Sequence, residues 1–136
     1  MSYILRVENK GEYLHITVTG DNTPENVANY LSEVHNKCVE HHCPNVLIEE
    51  NLRGPSLGTG VIYNIVSEAG NQVWPVVQRI AYVDVNSEHS MEAMQFAETV
   101  AVNRAVNVKL FSRALDAEKW LEEQGREKPA GTGDST

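Results

Sequence analysis

The chain has 136 residues and a formal net charge of −8, with 41% apolar and 22% charged residues. This size and composition are typical of a single globular domain. The acidic balance, with no cluster of Lys or Arg, argues against binding to nucleic acid or to anionic lipid headgroups.

No apolar run in the sequence approaches the roughly 20 residues that a membrane-spanning helix needs. The first residues, MSYILRVENKGEYL, lack the basic and apolar regions of a signal peptide. Cys38 and Cys43 are too far apart to form a disulfide if both lie in one helix. We therefore expect free thiols and a cytoplasmic location.

The first two elements are predicted to be strands that form a hairpin. Residues 3–9 (YILRVEN) alternate weakly, as an edge strand does, and NKG follows as a turn. Residues 13–20 (YLHITVTG) alternate apolar and polar side chains, a pattern typical of a half-buried strand. Its apolar positions are Leu14, Ile16 and Val18.

A helix is predicted to follow this hairpin. Thr23 suits the N-cap and Pro24 the first helical position. Apolar residues then repeat every three or four positions and define one face. They are Val27, Leu31, Val34 and Cys38. The helix should run to about His42, because Pro44 disfavours further helix.

Residues 45–50 (NVLIEE) predict a buried central strand. The glycine-containing stretch NLRGPSLGTGVIYNIV (residues 51–66) then leads into a second amphipathic helix that should end at Gly70. Its apolar face comprises Leu57, Val61, Ile62, Ile65, Val66 and Ala69.

Residues 78–85 (QRIAYVDV) predict another buried strand, and Ser87 suits the cap of a third helix, with Glu88 in its first turn. The inner face of this helix comprises Met94, Ala97 and Ala101, flanked by Ala93 and Val100.

Residues 107–111 (NVKLF) predict a last short strand, and Ser112 suits the cap of a closing helix. Ala117, Trp120 and Leu121 should point inward from that helix. Residues 125–136 are polar and aperiodic, which predicts a disordered tail after a domain of residues 1–124.

The predicted order ββαβαβαβα indicates an α/β domain. Strands that alternate with helices imply mainly parallel pairing with right-handed crossovers. The expected architecture is a mixed, mostly parallel sheet covered by helices.

Three segments resemble the SpoIIAA-like group of the STAS fold, the anti-sigma-factor-antagonist fold. GPSLGTGVI stands where that group has an Asp-Ser-Ser-Gly-Leu-Gly-Val-Ile type of loop and helix start. IAYVDVN resembles its fourth strand, and LFSRALDAEKWLEE resembles its closing strand and helix. Together with the element order, the resemblance covers residues 3–123.

This resemblance implies a non-enzymatic regulatory module that binds a kinase-type or anti-sigma-like protein. Ser56 falls at the position that the family phosphorylates, at the start of the second helix. The sequence departs from the family pattern at Pro55, which replaces an Asp, and at Leu57, which replaces a second Ser. The resemblance also extends to relatives of Sec14-type lipid-binding domains, which implies a small apolar ligand as the alternative.

The residues around Ser56 could also bind an anion. A helix N-terminus has unpaired N–H groups and a dipole that favours negative charge. Gly58 and Gly60 allow close backbone approach, and Arg53 could pair with a phosphate. Leu57 and Thr59 would complete this contact surface. Alternatively, Ser56 only caps the helix.

Polar side chains also follow the two central strands, where open parallel sheets bind ligands. Glu49, Glu50, Asn51 and Arg53 follow one strand, and Asp84, Asn86, Ser87 and His89 follow the other. These groups should lie near each other and form a polar rim for a ligand or partner. The alternative is that loops between strands and helices are polar in any case.

We predict no metal and no cofactor. His35, Cys38 and His42 would lie along one side of a helix and are zinc-ligand types. Cys38, however, continues the apolar face, and structural zinc sites usually draw ligand pairs from two segments.

The sequence also predicts that the protein is not an enzyme. It shows no recognisable Ser-His-Asp or Cys-His arrangement. Glu49 and Glu50 are adjacent on a strand, so their side chains should point to opposite faces and cannot act as a pair.

These observations favour regulation through protein binding, with small apolar-ligand binding as the alternative. An enclosed apolar cavity would favour the ligand, and a flat exposed patch around Ser56 would favour the protein partner. The oligomeric state stays open, a homodimer included.

Overall fold

The computed structural model describes residues 3–71, 77–86, 89, 91–103 and 106–127. Strands and helices follow in the predicted order ββαβαβαβα. They are β1 Tyr3–Asn9, β2 Leu14–Asp21, α1 Pro24–His41, β3 Asn45–Arg53, α2 Thr59–Asn71, β4 Arg79–Asp84, α3 Met91–Asn103, β5 Val108–Phe111 and α4 Ala114–Glu127.

The strands form one sheet in the order β1-β2-β3-β4-β5. β1 pairs antiparallel with β2, and the remaining neighbours pair in parallel. This confirms the mixed, mostly parallel sheet. Helices α1, α2 and α3 lie on one side of the sheet, and α4 packs on the opposite side against β3, β4 and β5.

The hairpin forms as its alternating pattern predicts. Leu14, Ile16 and Val18 of β2 are fully buried on the α1 side. Gly11 adopts a φ of 92° in the turn, a conformation that glycine adopts without a steric penalty. Burial of alternate side chains fixes the register of β2, because a slip by one residue would expose all three.

Helix α1 begins and ends as predicted. The Thr23 side chain accepts a hydrogen bond from the backbone N–H of Asn26, and His42 closes the helix in a left-handed conformation with a φ of 52°. The deepest line of side chains differs from the prediction. It runs through Asn26, Tyr30, Val34 and Cys38. The predicted Val27 and Leu31 are half-buried, pack against the same core cluster and also border a cavity.

Helix α2 begins later than the sequence suggests. The backbone N–H of Ile62 donates to the carbonyl of Gly58 at 3.0 Å, which places Gly58 at the cap position. Ser56 lies three residues before Thr59, the first residue of α2, so its prediction at the helix start is wrong in position. On the predicted apolar face, Ile62, Ile65 and Val66 are half-buried and Val61 is exposed. The side chains at 69 and 70 lie outside the described residues.

Helix α3 presents the predicted face to the interior. Val100 and Ala101 are buried, and Ala93, Met94 and Ala97 are half-buried. The predicted cap at 87 and the first-turn glutamate at 88 lie outside the described residues.

Helix α4 covers the opposite side of the sheet with Ala117 and Leu121 fully buried and Trp120 partly buried. It begins at Ala114, one residue after the position that a cap at Ser112 would give. The helix continues to residue 127, three residues past the predicted domain end at 124, and the predicted tail from 128 onward lies outside the described part. Within that part, no helix is both long and apolar enough to cross a bilayer.

Candidate functional site

Two carboxyl groups lie side by side at the ends of the central strands. Glu50 of β3 is paired directly with Asp84 of β4 in the parallel register. Side chains on a strand alternate between faces, so the neighbouring Glu49 points to the other side of the sheet. There its Oε1 lies 2.8 Å from Nε2 of His15. The two adjacent glutamates therefore do not form a pair, as predicted. The pair that forms, Glu50 with Asp84, joins the two central strands, whose polar ends were predicted to lie near each other.

Glu50 is a buried carboxyl held by two tyrosines. Its side chain accepts a hydrogen bond from the Tyr30 hydroxyl of α1 and another, at 2.8 Å, from the Tyr82 hydroxyl of β4. Burial raises the pKa of Glu50 to about 7, and the nearby Asp84 adds to that rise, while the two tyrosine hydroxyls oppose it. Glu50 thus changes its protonation near neutral pH.

Asp84 and His89 form a buried ion pair, each with a side chain only 3% exposed. Nδ1 of His89 lies 2.6 Å from Oδ2 of Asp84, and Nε2 lies 2.8 Å from the carbonyl oxygen of Gly54. The amide nitrogens of Asn22 and Asn86 lie farther from Nε2, at 3.4 and 3.5 Å. Because the two nearest partners are acceptors, the geometry favours a proton on each ring nitrogen and a cationic ring below the raised pKa of His89. Burial alone lowers the pKa of His89, but the Asp84 hydrogen bond and charge and the Gly54 carbonyl together raise it.

Two asparagine side chains and His89 hold the end of β3 and the loop that follows it. The Asn22 side-chain amide donates to the Pro55 carbonyl at 2.8 Å, and the Asn86 amide donates to the Leu52 carbonyl at 2.7 Å. Gly54 takes a φ of 104°, which lets the chain turn so that its carbonyl meets His89. The loop that contains Ser56 is therefore anchored to the buried ion pair.

An apolar cavity of about 160 Å³ lies between the sheet and helices α1, α2 and α3. An engineered cavity of about 150 Å³ in another protein holds benzene, so this volume admits a small molecule. Its walls are mostly aliphatic. They include Leu31 of α1, Ile62 and Ile65 of α2, Met94 and Ala97 of α3 and Ile80 of β4. Glu50, Asp84 and His89 also line it and form its polar end.

Glu50, Asp84 and His89 offer ligand atoms that lie within 4.8 Å of one another, a spacing that could hold a metal ion. Each of these groups already has protein partners, however. Both ring nitrogens of His89 carry protons, and a nitrogen must lose its proton before it can coordinate a metal. The hydrogen-bond chemistry therefore favours a protonated network over a metal centre, and the absence of a metal stays a prediction.

The residues predicted along the first helix are spread between core and surface. Cys38 is fully buried in the core, His35 is half-buried and His42 is exposed. Cys43 is buried, with its Sγ 3.4 Å from the Asn45 carbonyl. Both cysteines are free thiols, as predicted.

Some of the predicted site residues gather at or beside the cavity, and the others are exposed on the surface. Glu50, Asp84, Asn86 and His89 come together at the strand ends, and Ser56 and Leu57 border the cavity. Gly58, Thr59 and Gly60 are exposed at the start of α2. Arg53 pairs with Asp21 at 2.9 Å, and its side chain is 74% exposed. The binding roles of these residues stay predictions.

Sequence reasoning missed the two tyrosines. Tyr30 lies four residues before Val34 and eight before Cys38, so it shares their helical line. Tyr82 lies two residues before Asp84 on one strand, so it shares the face of Asp84. Periodicity alone could place both residues, but not the hydrogen bonds that their hydroxyls donate.

No protein-family model matches this chain, and no curated protein matches it either. The chain is similar to a solved structure from Shewanella loihica PV-4, described as an uncharacterized protein from the DUF3478 family with a SpoIIAA-like fold. The match covers 88% of this chain and 94% of that chain, with 19% sequence identity and a TM-score of 0.49.

Proposed function

We propose that this domain binds a small, largely apolar molecule in the cavity between the sheet and helices α1–α3. The observation that carries the proposal is the joining of aliphatic walls to a buried polar end at Glu50, Asp84 and His89. Small-molecule sites combine an apolar lining with a few convergent polar groups, and open sheets place them at the carboxyl ends of their strands. This was the alternative that the sequence left open.

The cost of the cavity supports the same proposal. The cavity is partly open to solvent, and its apolar walls lose packing contacts that a filled core would provide. The ionisable groups at its polar end are also costly to bury. Larger side chains at positions such as Ala93 or Ala97 would remove much of this cost. A binding role would account for the small residues there.

The hydrogen-bond partners of Glu50 and His89 favour a role in binding over a role in catalysis. Tyr30 and Tyr82 hold Glu50, and Asp84 and Gly54 hold His89, so each group is already engaged within the protein. The described residues that line the cavity include no Lys or Cys, the side chains that act as amine or thiol nucleophiles.

Benzene tests the proposal, because it probes the apolar cavity without engaging the polar end. We expect saturable shifts of methyl signals in NMR spectra, confined to residues such as Ile62, Ile65 and Met94. The exposed methyl groups of Val102 and Leu115 serve as internal controls. The proposal fails if no methyl shift saturates, or if exposed and lining methyl groups shift alike.

We propose a regulatory protein contact through Ser56 as the second candidate function. The supporting observation is that the Ser56 loop borders the cavity and is held by His89 through Gly54 and by Asn22 through Pro55. Phosphorylation of Ser56 would add a double negative charge beside this anchored loop. A kinase-type or anti-sigma-like partner that recognises the loop would then bind differently.

A further inference from the structure

The hydrogen-bond donors of Tyr30, Tyr82 and His89 are used within the protein. The Tyr30 and Tyr82 hydroxyls donate to Glu50. The two N–H groups of His89 face Asp84 and the Gly54 carbonyl. A ligand that enters from the apolar side therefore meets no unused donor among these three side chains.

Hydrogen-bond acceptors, in contrast, have remaining capacity. Each oxygen of an ionised carboxyl group can accept about two hydrogen bonds. At pH 8, above the pKa of about 7, Glu50 is ionised and each of its oxygens receives one tyrosine hydroxyl. Asp84 receives the His89 ring N–H and, on its other oxygen, the Asn86 backbone N–H. The unused positions belong to carboxyl oxygens, so a bound polar group must donate hydrogen bonds to them.

The charges around the cavity favour a donor group that is positively charged. Among the described lining residues, three carry a carboxyl group: Glu50 of β3, Asp84 of β4 and Glu98 of α3. The Oε2 of Glu98 also accepts the Leu110 backbone N–H at 2.8 Å. His89 is the one cationic side chain among the described lining residues. A bound anion would face this excess of negative charge in a poorly solvated space, where charge interactions are strong.

We infer that the cavity binds a small apolar molecule whose polar group is a cationic hydrogen-bond donor, a primary amine in its simplest form, and rejects the carboxylate of the same shape. This inference rests on the proposed function. The cavity volume of about 160 Å³ limits the apolar part to a short chain or a single ring.

Three probes of matched length test the inference: hexylamine, 1-hexanol and hexanoate, titrated calorimetrically into the full chain at pH 8. We expect hexylamine to bind at least about tenfold more tightly than hexanoate, because charge-assisted hydrogen bonds are stronger than neutral ones. 1-Hexanol, a neutral donor, should fall between them. Dodecylamine separates a small free amine from the amine of a long-chain lipid, and we expect the cavity to favour hexylamine.

Glu50→Gln removes the charge at nearly constant shape and should weaken hexylamine binding about tenfold, and 1-hexanol binding less. Glu49→Gln is the matched control, since its side chain lies on the opposite face of the sheet beside His15. It should change neither affinity.

The outcomes separate the two proposals. Equal or tighter binding of hexanoate, while benzene still binds, would overturn the amine selectivity and leave the cavity function standing. Failure of benzene and of all three hexyl probes to bind the wild-type chain would overturn both. Should Glu50→Gln not fold, the wild-type comparison of hexylamine with hexanoate decides alone.

Discussion

Glu50 and Asp84 are directly paired across neighbouring parallel strands and point into the same buried space, yet only Asp84 has a cationic partner. His89 stabilises the charge on Asp84, whereas two neutral tyrosine hydroxyls hold Glu50. Like charges this close disfavour double ionisation, so the proton near neutral pH resides on Glu50. The pair therefore joins a carboxyl group that has an ionic partner, Asp84, to a titratable one held by neutral hydroxyls, Glu50.

The first prediction concerns stability and pH. The pKa of Glu50 is about 7 in the folded protein against an ordinary value of 4.5, so the folded state binds this proton more tightly. The resulting stabilisation is complete below pH 4.5 and is lost as pH rises through about 7. Glu50→Gln cannot ionise and should escape this loss. Relative to wild type, its unfolding free energy should rise between pH 5 and pH 8 by on the order of 2 kcal/mol.

Urea unfolding at both pH values measures this difference. Glu50→Gln leaves the other groups that face Glu50 in place. They are Tyr30 of α1, Tyr82 and Asp84 of β4, His89 in the loop before α3, and Glu98 of α3. Glu92→Gln, an exposed change on α3, is the control and should show no such trend. A variant–wild-type difference that stays flat or falls with pH would contradict the role of Glu50.

The second prediction concerns the hydroxyl on α1. Tyr30→Phe removes a donor that favours ionised Glu50, so the variant should lose roughly 1–3 kcal/mol at pH 8 and less at pH 5. Tyr13→Phe, buried on the α4 side, is the matched control. Burial raises the pKa of Tyr13 to about 12, so its own ionisation adds nothing between these pH values. Equal losses at both pH values in Tyr30→Phe would show that the hydroxyl does not couple to Glu50.

The sequence predicted the framework of this site but not its connections. Alternation placed Glu50 on the opposite face from Glu49, and strand order placed Glu50 near Asp84. The His89–Gly54 contact depends on a loop conformation that no periodicity encodes. Tyr30 stands between Val27 and Leu31 on α1 and does not disturb their amphipathic pattern. The pattern therefore gave no sign that its hydroxyl donates to a buried carboxyl group.

The third prediction tests the cavity by filling it. Ala97→Leu adds apolar volume at the α3 wall and should raise the unfolding free energy by roughly 1–2 kcal/mol, since buried methylene groups stabilise. It should also weaken benzene binding strongly. Ala28→Leu makes the same change on the exposed face of α1 and should alter neither property. Marked destabilisation by Ala97→Leu with benzene binding intact would show that Ala97 packs elsewhere.

The fourth prediction concerns the regulatory candidate. Ser56 is half-buried in the loop before α2, so an introduced carboxylate can keep contact with water. Ser56→Asp should therefore leave the melting temperature nearly unchanged and weaken capture of a protein partner in a pull-down from the native host. Ser56→Ala, which adds no charge, should retain capture. If Ser56→Asp changes neither stability nor any captured partner, the switch fails and the cavity function alone remains.

The two sides of the sheet are built from alternate residues of the same strands. On β4, Ala81 and Val83 support α4, while Ile80 and Tyr82 face the cavity. Substitutions on one side therefore leave the other side's contacts largely intact. Over evolutionary time, the α4 side can accumulate stabilising substitutions while the cavity side changes its shape. An engineer could likewise strengthen the α4 side first and then reshape the cavity.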